Sequence, residues 1–158
     1  MNAQDLKDYV VVPTLKRITK FIPFTDNAVD MVLGTGAQES NFNYLDQTTP
    51  GPGPAYGIYQ MERATHDDHV RWLTWRSEFL ALVRGFQIFH MEDWTEMAGN
   101  LYYATIMCRI HYFRKPGAIP SSVEGKARYW KRHYNTEAGK GTVEEFVKNY
   151  RKYVEPLK

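Results

Sequence analysis

Glu39 stands where helical spacing does not favour a carboxylate. It follows Val32 by seven residues and Gly36 by three, so on a helix it shares a stripe with Val29, Val32, Leu33 and Gly36, at the C-terminal end. Apolar neighbours and the negative end of the helix dipole both disfavour its ionised form, which predicts a raised pKa. A carboxylic acid that keeps its proton near neutral pH can act as a general acid. The alternative is that the helix ends early and Glu39 points into water.

Other clusters offer less. His66-Asp67-Asp68-His69 places two histidines at i, i+3 with carboxylates between them; zinc would need further ligands that the spacing does not supply, so no metal and no cofactor is expected. Ser40 follows no glycine elbow, and none of the five histidines lies in a hydrolase-like motif, which argues against a serine triad. The Gly/Pro run Thr48 to Pro54 lacks the lysine and the strand-to-helix setting of a phosphate loop. A second carboxylate opposite Glu39 would have to be Asp46, beside that run, or Asp67 or Asp68, on a separate helix.

The elements that must position these groups are mostly helices. Thr25 or Asp26 can cap a helix running to about Ser40. Asp5 to Phe21 also looks helical, with Pro13 marking a kink or restart. Asp93 with Glu96, Ser121 with Glu124, and Thr142 with Glu145 each place an oxygen cap three residues before a glutamate. Behind them run three apolar stripes: Met97 to Tyr112, Val123 to Tyr134 (with Ala127 and Trp130), and Val143 to Val154. Glu62 to Phe89 reads as helix broken near Trp72, and residues 43–60 leave room for one small hairpin. The expected fold is mainly α in a single domain over residues 1–158 with a cleft, since 158 residues suit one core and no internal repeat is present.

Three quoted segments, taken in order, carry a family resemblance. Gln38-Glu39-Ser40-Asn41-Phe42, then Tyr56-Gly57-Ile58-Tyr59-Gln60-Met61, then His133-Tyr134-Asn135 with Gly139, resemble the lytic transglycosylases and goose-type lysozymes. Asn100 to Ala104 is similar to the helix that crosses the middle of that fold, and Tyr150 falls on the helix that follows the third segment. Together the matches span roughly residues 28–154. The resemblance implies a lysozyme-like α+β domain and cleavage of the MurNAc–GlcNAc bond of peptidoglycan. It gives Glu39 the role of proton donor and has the Tyr134 hydroxyl bond to Glu39. Ser40 and Gln60 would bond to substrate or hold the cleft wall, with Tyr56 and Tyr59 beside them, and Asn135 would support the tyrosine's loop. Tyr59 stands where methionine is often seen and His133 where alanine is usual, and Thr136-Glu137-Ala138 lengthens the path to the glycine. The expected product is a 1,6-anhydromuramyl end. The alternatives are a water-using muramidase on the same scaffold and a wall-binding or structural virion protein without turnover.

Composition bounds the setting. Cys108 is the single cysteine, which excludes an intrachain disulfide. Residues 1–108 hold 8 Lys/Arg against 13 Asp/Glu, and residues 109–158 hold 12 against 5, so the chain's basic half is its C-terminal third. That half could meet polyanions, but its aromatics Tyr129, Trp130 and Tyr134 lie on an apolar stripe, so they read as core rather than as a stacking surface for nucleic acid. The expected partner is the peptidoglycan glycan strand, with no nucleic acid and no membrane. Met1 to Tyr9 carries Asp5, Lys7 and Asp8 and lacks the apolar stretch of a secretory signal. Action at the bacterial wall or periplasm would therefore require another delivery route, such as a phage virion or lysis system, whose components are further candidate partners.

Overall fold

The computed structural model describes residues 1–43, 45, 54–89, 93–136 and 138–157. The protein is mainly helical with a small two-stranded antiparallel sheet. The N-terminal helical run comprises α1 (Ala3–Leu6), a π-helical turn (Lys7–Val11) and α2 (Val12–Arg17). Pro13 has no N–H to give and would crowd the carbonyl one turn back, so the helix widens ahead of it instead of breaking. Leu6, Val11, Leu15 and Ile18 face the core from this run.

Helix α3 (Asp26–Ser40) begins where the Thr25 side chain accepts from Ala28 N and ends at Asn41, which adopts the left-handed conformation. Nearly every residue from Ala28 to Ala37 is buried. Gly34 allows α9 (Val143–Tyr153) to pack directly on α3, because a Cβ there would lie 2.7 Å from the Phe146 ring. Helix α7 (Leu101–Phe113) is buried without interruption from Tyr103 to Tyr112, as expected of a helix surrounded by the others. Asn100 caps it by accepting from Tyr103 N.

The hairpin pairs β1 (Ala55–Tyr56) with β2 (Met61–Glu62), Tyr56 opposite Met61 and Ala55 opposite Glu62. It therefore sits at the C-terminal edge of the expected window and passes two residues beyond it. α4 (Arg63–Thr74) and α5 (Ser77–Arg84) follow, with the break at Trp75–Arg76, three residues later than expected.

The three expected caps have different outcomes. Thr142 and Glu145 form a reciprocal capping box at α9. At α8 (Val123–Trp130) the cap is Ser122, one residue past Ser121. Asp93 accepts from Thr95 N, but only the four-residue α6 (Glu96–Gly99) follows, and the long helix starts afresh at Leu101. Glu96 does not cap that turn: its carboxylate accepts from the backbone of Ile88 and Phe89, farther back along the chain. A second π-helical turn, Lys131–Asn135, continues α8 and carries Tyr134.

Candidate active site

Glu39 lies in the last turn of α3, partly buried in the wall of a cleft of about 690 Å³. The cleft has the size of small-molecule sites. Burial raises the Glu39 pKa from 4.5 to about 7, and a hydrogen bond from Trp130 offsets only part of that. Trp130 Nε1 donates to Glu39 Oε1 at 2.8 Å from the end of α8. The sequence stripe made Trp130 a core residue, and it is one, fully buried; only its N–H gives it a place at the site. The ring is held by a close backbone approach, since a Cβ on Gly141 would stand 2.6 Å from it.

The glycine-bearing turn 138–141 closes this side. Lys131 Nζ donates to Asn135 Oδ1 at 2.7 Å and to the Gly139 carbonyl at 2.8 Å, tying the π-helical turn to the loop. Asn135 and Tyr134 line the cleft as expected. The Tyr134 hydroxyl, however, donates to the Tyr59 carbonyl at 2.7 Å, so it bonds to the hairpin connection rather than to Glu39. The role of hydrogen-bond donor to Glu39, expected of this tyrosine, falls to Trp130. Beneath Tyr134, His111 packs at 4.8 Å between ring centroids and donates through Nε2 to the His133 carbonyl. Burial pushes the His111 pKa down to about 4, so it enters the cleft wall as a neutral ring.

The hairpin supplies a further part of the lining. Gln60 lines the cleft, with its Nε2 donating to the Gly57 carbonyl. Ser40 is buried and donates to the Ile58 carbonyl at 2.7 Å, pinning the end of α3 to the hairpin connection. It holds the wall rather than facing a substrate. Tyr59 is also buried, with its hydroxyl bonded to Thr105 at 2.9 Å, so it too belongs to the wall. Tyr56 is half-buried on β1, outside the cleft lining.

Glu62, at the end of β2, lines the cleft and is a carboxylate that the sequence did not single out. The only available signal was its place two residues after Gln60, on an alternation that would turn both side chains to one bank. Asp67 pairs with His66 and Arg63, and Asp68 with Arg114 and Arg71, so both leave the cleft. Asp46 lies outside the described residues. His66 bonds Tyr103 through Nε2 at 2.7 Å, and His69 accepts from Arg114. The two histidines are thus engaged separately, and no group of three metal-ligating side chains occurs among the described residues.

One desolvated carboxyl, with one donor among the described residues, thus shares the cleft lining with a second, exposed carboxylate. That arrangement can supply a proton to a leaving oxygen and take one back. Compared with known proteins, the chain matches no family model, no curated protein and no solved structure.

Proposed function

We propose that the protein is a peptidoglycan lytic transglycosylase and that Glu39 serves first as acid and then as base. The observation that carries this reading is the Glu39 carboxyl itself: in the cleft wall, raised to about 7, and held by one indole N–H. Protonated, it gives its proton to the glycosidic oxygen between MurNAc and GlcNAc, and the C1–O bond breaks. The cation at C1 is relieved by the carbonyl oxygen of the substrate's own N-acetyl group. Glu39, now ionised, takes the proton of the C6 hydroxyl as O6 bonds to C1 and displaces the acetamido oxygen. The products are a 1,6-anhydroMurNAc end and a free GlcNAc hydroxyl, with Glu39 protonated again and no water consumed. Gln60 and Asn135 supply polar groups along the cleft, and Trp130 is a positioning residue.

Glu62 favours a second reading. A second carboxylate lining the same cleft can direct a water to C1, and hydrolysis generally uses a second carboxylate about 5–5.5 Å or about 6.5–9.5 Å from the first, depending on stereochemistry. Digestion of purified sacculi separates the two. Anhydro ends, lighter by one water, with Glu62→Gln retaining turnover, support the transglycosylase. Reducing MurNAc ends that vanish in Glu62→Gln establish the hydrolase. No soluble product from the wild-type protein leaves a wall-binding or structural role.

A further inference from the structure

At the far end of α4 from the cleft, the surface gathers exposed aromatics and cations that the cleft chemistry does not use. Twelve residues of helix carry the chain about 18 Å from the cleft rim at Glu62 and Thr65 to Trp75. Trp75 is 88% exposed, an unusual state for the largest apolar side chain. One turn back, Trp72 is covered by the Arg76 guanidinium at 3.8 Å and approached by Arg114 at 5.6 Å. Phe113, 41% exposed, meets Trp72 edge-on at 6.3 Å. Below it lies Arg109, whose guanidinium is 6.0 Å from the Phe113 ring. Arg109 is 6% exposed, donates to the Pro23 carbonyl, and leaves Nε without a partner among the described residues.

The charges here do not cancel. Asp68 is shared between Arg114 and Arg71, while the exposed Arg76 has no carboxylate partner among the described residues; Arg109, buried beneath, adds no surface charge. We propose that this face docks peripherally on a lipid bilayer bearing anionic phosphodiester headgroups, with Trp75 seated at headgroup depth. Indole rings favour that depth because one edge is apolar and the other donates a hydrogen bond, and guanidinium groups pair well with phosphate oxygens. A second copy of the chain is a poor occupant, since a self-complementary contact would bring the same cations together. A soluble polyanion would meet the arginines but leave Trp75 and Phe113 in water. No helix among the described residues is long and apolar enough to cross a membrane, and docking requires none. This proposal departs from the sequence-based expectation of no membrane partner.

Sedimentation with vesicles tests the proposal and reads binding, not turnover, so its failure and that of the proposed activity are separate events. The full chain should bind vesicles of equal phosphatidylglycerol and phosphatidylcholine at least about tenfold more tightly than pure phosphatidylcholine, because each basic residue near the surface gains from the anionic headgroups. Trp75→Ala should weaken that binding about tenfold and abolish a blue shift of tryptophan emission, while leaving the thermal melt unchanged because the ring is exposed. Arg71→Gln should weaken it by a smaller factor, and salt should weaken all of it. Equal binding to both vesicle types, undiminished binding by Trp75→Ala, or binding to heparin with none to the anionic vesicles would each overturn the proposal.

Discussion

Two glutamates of this protein, one buried and one half-buried, have opposite surroundings. Glu96 is 2% exposed, and its carboxylate accepts from Ile88 N at 2.6 Å, Phe89 N at 3.2 Å and Asn100 Nδ2 at 2.8 Å. Glu39 is less deeply buried and accepts from Trp130 Nε1. Three N–H donors replace the hydration that Glu96 gives up and make it a clamp for the Ile88 and Phe89 backbone. At Glu39 one donor among the described residues leaves desolvation ahead, and the result is a carboxyl poised near neutral pH. The two sites differ in the donors they meet: Glu96 ties down backbone, while Glu39 stands in the cleft lining.

The largest effect should come from removing the reactive proton. Glu39→Gln keeps the shape and should lower sacculus turnover by at least about 10²–10⁴-fold, the usual contribution of general acid catalysis. The same substitution should help stability in a pH-dependent way. A carboxyl raised from 4.5 to about 7 on folding adds stability that is fully present below 4.5 and is lost as pH rises through 7. Relative to the wild type, Glu39→Gln should therefore gain up to about 3 kcal/mol between pH 4.5 and pH 8, read from urea unfolding at each pH.

Glu96→Ala should do the reverse. It leaves the Ile88 and Phe89 amides and the Asn100 amide without their acceptor, at a cost of about 3 kcal/mol, while turnover per folded molecule stays within about twofold. A Glu96 variant that melts like the wild type would end the comparison.

A smaller change sharpens it. Trp130→Phe removes the indole donor to ionised Glu39, so its pKa should rise by a further unit or so and the alkaline limb of the pH–rate profile should move up with it. Tyr134→Phe should matter least: its hydroxyl serves the Tyr59 carbonyl, so stability should fall by about 1 kcal/mol and the pH limbs should stay in place.

These contrasts also show which parts of the molecule could be read in the sequence. Helix α3 was legible from Thr25 to Ser40 because its cap, its stripe and its end all lie within the element. The Thr142–Glu145 box was legible for the same reason. Asp93–Glu96 looked alike and did not behave alike, because Glu96 found backbone donors seven and eight residues away that a local pattern does not show. At the site, Glu39, Gln60, Tyr134 and Asn135 were brought to one cleft, whereas Ser40 and Tyr59 were turned into its wall by bonds to Ile58 and Thr105. Trp130 was hidden because an indole on an apolar stripe reads as core; its polar edge matters only when another helix delivers a carboxyl to it. Glu62 was hidden because hairpin register decides which bank a side chain joins, and the register was fixed only by the pairing of Tyr56 with Met61.

The central claim is that Glu39 holds its proton near neutral pH, and a carbon-13 NMR titration of side-chain-labelled glutamate reads it directly. The Glu39 carboxyl, assigned by its loss in Glu39→Gln, should titrate with a midpoint near 7, moving upward in Trp130→Phe. A midpoint near 4.5, unchanged in that variant, would contradict the account.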